Sequence, residues 1–100
     1  MALVTIDLQE GFANDTVVIR LNGQEIFRRE NVTTRLQIGL ADRIEIQTQE
    51  RSSEVEIELP IKKLVVTKEI ACEKDIFLGV TFHAGGKLAL REQLCEFWYA

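Results

Sequence analysis

Two stretches of the chain alternate apolar and polar side chains with a period of two: Arg43-Ile44-Glu45-Ile46-Gln47-Thr48 and Glu54-Val55-Glu56-Ile57-Glu58-Leu59. Successive side chains of a β-strand point to opposite faces, so each stretch offers one face to a core and one to water. On a helix the same order would scatter Val55, Ile57 and Leu59 around most of the circumference. The polar run Gln49 to Ser53 between them has hairpin length, and the two stretches are expected to pair antiparallel.

A second hairpin is specified by its turn. Thr16-Val17-Val18-Ile19-Arg20-Leu21 leads into Asn22-Gly23 and then Gln24-Glu25-Ile26-Phe27-Arg28-Arg29. Asn-Gly supplies the two positive φ values of a type I′ turn. A two-residue loop there sets Leu21 against Gln24, Arg20 against Glu25, Ile19 against Ile26 and Val18 against Phe27. A third hairpin is expected from Ile76–His83 through Ala84-Gly85-Gly86 to Lys87–Arg91. Gly79, inside its first strand, marks a bulge or a close approach of another group.

Leu3–Leu8, Arg35–Leu40 and Leu64–Ala71 complete the count, and Pro60 ends the strand before it because it cannot donate to a ladder. The connections are too short for the helical crossovers that parallel neighbours need. About nine short strands in one 100-residue domain predict an all-β fold, a small antiparallel two-sheet sandwich of immunoglobulin-like or transthyretin-like type.

Composition narrows the function. The net charge is −4, with 12 basic residues interleaved among 16 acidic ones, and the only adjacent basic pairs are Arg28–Arg29 and Lys62–Lys63. Phosphate recognition needs clustered cations, so neither nucleic acid nor an anionic membrane is an expected partner. The N-terminal Met1-Ala2-Leu3-Val4 has no basic leader or long apolar run, which points to the cytoplasm. Cys72 and Cys95 are too few for a disulfide framework or a structural zinc site, and are read as free thiols.

No set of residues amounts to a catalytic centre, and no cofactor or metal is expected. His83 is the only histidine and sits at a strand end. Asp7, Glu10, Asn14 and Asp15 gather oxygen donors near Gly11, but without the spacing of a calcium loop. Glu54, Glu56 and Glu58 line one strand face, with Glu45 expected on a neighbour, and acid–base work would need a cleft around them.

The C-terminal Leu94-Cys95-Glu96-Phe97-Trp98-Tyr99 holds three consecutive aromatics, including the only Trp and the only Tyr. Rings of this size bury ~150–250 Å² each, so together they suit a cap on the sandwich or an interface. Leu94, Phe97, Trp98 and Tyr99 are the candidate interface residues. The expected function is a non-enzymatic binding or protein-interaction module, with a protein partner or self-association. The alternatives are a carbohydrate or small-ligand site stacked on the C-terminal aromatics and, less favoured by the residues, an enzyme with an acidic site.

Overall fold

A computed structural model describes residues 2–35, 38–72, 74–83 and 85–93. The expected alternation is realised as eight strands: β1 (Ala2–Leu8), β2 (Asp15–Leu21), β3 (Gln24–Val32), β4 (Asp42–Thr48), β5 (Ser52–Leu59), β6 (Leu64–Ala71), β7 (Ile76–His83) and β8 (Lys87–Gln93). They form two four-stranded sheets, ordered β4-β1-β7-β8 and β3-β2-β5-β6. Of the expected strand Arg35–Leu40, the described part is a tight turn. Its two ends bridge each other, and Ile38 and Gly39 donate to the Arg35 carbonyl.

The sandwich expected from the periodicity follows from which side chains are buried. Val4, Ile6, Leu8, Leu78 and Val80 from the first sheet pack with Val17, Ile19, Val55, Ile57, Leu59 and Ile70 from the second. Each strand gives alternate residues to this shared core, as pleating requires.

The three tight turns behave as their chemistry demands. Asn22 (φ 52) and Gly23 (φ 82) both take the left-handed conformation of a type I′ turn. Leu21↔Gln24 and Arg20↔Glu25 pair as expected, but a bulge then sets Ile19 opposite Phe27 and Val18 opposite Arg28. The extra residue, Ile26, is displaced to the surface, and Phe27 packs against the core in its place. Pro60 closes β5 and opens the 3₁₀ turn Pro60–Lys62, which returns the chain to β6. In the last hairpin His83 pairs with Lys87.

Two expectations about how the sheets are ordered are also corrected. The alternating segments β4 and β5 do not pair with each other: β4 pairs with β1, and β5 with β2 and β6. The polar run between them carries the chain from one sheet to the other, and its length suits either path. The sandwich is also not wholly antiparallel, because β1 runs parallel to β7. No short crossover is needed there, since the whole second sheet lies between these strands in sequence.

The crossings at one end of the sandwich are tied to each other. Thr34 Oγ1 accepts from the Phe12 N–H (3.0 Å) and donates to the Gln9 carbonyl (2.6 Å). Gln9 N–H donates to the Val80 carbonyl, and Phe82 N–H to that of Glu10. Gly11 (φ +92) lies so close to β7 that a Cβ would overlap the Phe82 carbonyl. Gly79 marks a close approach, with the Gln9 side-chain amide lying where a Cβ would stand.

Two substitutions test this frame. Ile57→Ala removes a fully buried side chain and should cost about 2–5 kcal/mol in denaturant unfolding. Gly11→Ala meets both a backbone overlap and an unfavourable φ, and should destabilise more than Gly23→Ala, where the added methyl meets open space.

Candidate functional site

The charged side chains fall into three groups: those that close the sandwich, those that satisfy one another on its outer faces, and a small remainder. Arg29 of β3 and Asp42 of β4, both on the core side of edge strands, form an ion pair across one flank. Lys68 of β6 and Glu92 of β8 do the same across the other, at 4.0 Å. At one end Lys62 Nζ lies 2.8 Å from Asp15 Oδ1 and 4.0 Å from the centre of the Phe82 ring. Asp15 is buried and also accepts from the Ala13 N–H, so Lys62 supplies the counter-charge this carboxylate needs.

The loop carboxylates do not gather into a cation site. Asp7 points to the outer face of the first sheet, fully buried, and takes a two-pronged contact from Arg43 at 2.7 and 3.0 Å. Asp15 belongs to Lys62, Glu10 lies beside Gly39, and Asn14 Oδ1 accepts from Thr33. Among the described residues no three His, Cys, Asp or Glu side chains converge as metal ligands would. His83 is exposed at the end of β7, and Cys72 is a free thiol buried in the core.

The outer face of the second sheet carries the glutamate row. Glu54, Glu56 and Glu58 share that face, and Arg20 on β2 donates to Glu56 (2.5 Å) and Glu58 (2.8 Å). The hydrogen bond to Glu58, with that to Glu56 next, raises the Arg20 pKa above its ordinary value. Beside it Arg28 grips Glu25, holding that carboxyl below the usual carboxylate range. Val18 is buried on this outer face between the rungs of Arg28 and Glu58. Glu45 lies in the other sheet, and the carboxylate that neighbours the row is Glu69, directly opposite Glu54.

β6 borders this face and is an edge strand, paired among the described residues only with β5. Its register runs from Ser52↔Ala71 to Leu59↔Leu64 without a bulge. Only Ile70 of its eight residues is buried. Val65 is 56% exposed, and Ile61, in the 3₁₀ turn that leads into the strand, is 69% exposed. β3, the other edge of this sheet, is interrupted by two register shifts and carries Glu25, Arg28, Arg29 and Glu30. Bulges and charges block strand addition, so β6 is the more receptive edge.

The sequence shows the β-branched run Val65-Val66-Thr67 but not that it forms an edge, because edge position depends on sheet order. The candidate interface residues Leu94, Phe97, Trp98 and Tyr99 lie outside the described residues, as does Cys95. Among the described residues no helix is long and apolar enough to cross a membrane. No family model, curated protein or solved structure matches this chain.

Two measurements follow from the ion pairs. Lys62→Met leaves the buried Asp15 carboxylate without its cation and should cost about 1–3 kcal/mol, since Lys62 keeps partial solvent contact. Glu25, its pKa lowered by Arg28, adds stability above the ordinary carboxylate range that is lost only as pH falls through the lowered value. In an NMR titration of the side-chain carboxyls, Arg28→Gln should move the Glu25 midpoint upward.

Proposed function

We propose that the protein is a non-enzymatic protein-interaction module that accepts an extended segment alongside β6. The observation that carries this reading is an unbroken eight-residue edge strand whose Val65, with Ile61 just before it, leaves apolar surface in water. An added strand would take up the unused main-chain donors and acceptors of that edge, and alternate side chains would supply selectivity. Against catalysis stands the use of the acidic row: Glu56 and Glu58 are held by Arg20 on an open sheet face, where an acid–base pair would need a cleft.

The frame suits this role, since sandwiches of immunoglobulin-like or transthyretin-like type also leave sheet edges at their flanks. The cytoplasm is the compartment proposed.

Selection of binders from a displayed library of random ten-residue peptides tests the proposal. Bound peptides should shift the backbone amide resonances of Leu64–Ala71, and the double variant Val65→Lys, Thr67→Lys should weaken them at least about tenfold. Peptides that shift other regions, or that bind the double variant equally well, count against β6 as the docking edge.

A further inference from the structure

We infer that the segment taken up at β6 is a basic one, running antiparallel to β6 with a lysine or arginine opposite Glu69 and an apolar residue opposite Val65. This rests on the reading of β6 as a docking edge and adds the chemistry of the partner.

The argument starts from an unfavourable rung. Glu54 and Glu69 face each other on adjacent strands, and like charges directly opposite destabilise a sheet. Glu56 and Glu58 share Arg20, but among the described residues no ion pair reaches Glu54 or Glu69. The nearest lysine in the strand, Lys68, points to the core side and is paired with Glu92. On the outer face of the second sheet, Glu25, Glu54, Glu56, Glu58 and Glu69 thus outnumber the guanidinium groups of Arg20 and Arg28.

Glu69 lies on the last strand of this face, so only the position across the open edge can bring a new neighbour directly opposite it. A strand added there would set one side chain opposite each of Glu69, Thr67 and Val65 on the outer face. The second sheet is antiparallel throughout, and an incoming strand that continues it meets these three in that order from its own N-terminus. The matching sequence is basic–x–polar–x–apolar. A cation at its first position meets Glu69 on one side, as Arg20 meets Glu56 in the interior of the sheet.

Three acetylated, amidated ten-residue peptides of alternating Thr and Val character, differing only in Lys, Gln or Glu at the position opposite Glu69, provide the test. Titrated into the full 15N-labelled chain at low salt, the Lys peptide should bind tightest and the Glu peptide weakest, about tenfold apart. The gap should narrow in 1 M salt. Glu69→Gln should level the three affinities without abolishing binding, and Glu69→Lys should reverse their order. The same Glu69→Lys change places a cation opposite Glu54 and should raise the thermal midpoint, so reversed preference cannot be mistaken for a folding defect.

Equal affinities with shifts confined to Leu64–Ala71 would overturn the basic preference while leaving the docking edge intact. No shift along β6 with any of the three peptides would remove the docking edge itself. A dimer in light scattering that Val65→Lys dissociates would identify the occupant as a second copy and overturn the peptide assignment.

Discussion

A sandwich with four strands in each sheet has four edge strands out of eight, so much of its core-side surface lies at the rim rather than the centre. Everything else depends on closing that rim. Central strands β1, β2, β5 and β7 bury their inward side chains, except for Leu21 and Phe82 near the ends of β2 and β7, whereas the inward side chains of β3, β4, β6 and β8 reach the flanks. Here the sequence places charges of opposite sign on facing edges. Arg29 meets Asp42 on one flank and Lys68 meets Glu92 on the other, each head group in reach of water while its stem covers apolar neighbours. Inward-pointing charges of this kind also discourage uncontrolled pairing of edges between molecules. Lys68 is the only one on β6, and its pairing with Glu92 leaves the outward side of that strand apolar at Val65.

The outer faces are more specialised than alternation implies. A polar residue on the solvent side of a strand is ordinarily exposed, yet Asp7 and Thr5 are buried on the outer face of the first sheet, and Val18 on that of the second. Asp7 tolerates this because Arg43 pairs with it through two nitrogens, which offsets the loss of hydration. Arg20 instead reaches two carboxylates, Glu56 and Glu58, through the single nitrogen Nη1, binding β2 to β5 across the middle of the second sheet. Among the described residues no comparable cation pairs with Glu54 or Glu69, which distinguishes that end of the face.

How much of this was legible in the residues depended on range. Apart from Arg35–Leu40, whose described part is a turn, the expected strands formed, and local turn chemistry located two hairpins and a strand end: Asn22-Gly23, the glycines after His83 and Pro60 each sit where they were expected. The first two rungs of β2 and β3 were legible for the same reason. The bulge at Ile26 was not, because it is driven by Phe27 reaching a core the local pattern does not describe. Polar runs carry no sign of destination, so Gln49 to Ser53 suited a hairpin as well as a crossing between sheets. Edge position, and with it the candidate docking strand, is set by the pairing of distant segments. The partners of Asp7, Asp15 and Glu56 lie 36 to 47 residues away along the chain, beyond any spacing argument.

The parallel ladder between β1 and β7 has a consequence for how the chain acquires its structure. β1 can pair with β4 once the first half of the chain is available, but its other edge stays open until β7 is present. The ladder that completes the first sheet thus joins segments from opposite ends of the sequence, and closing so long a loop is entropically slow. During synthesis the second sheet, whose strands are contiguous apart from β4, is free to assemble first. β1 would meanwhile hold an apolar, hydrogen-bonding edge exposed, making the interval before β7 emerges the period of greatest exposure to misassembly.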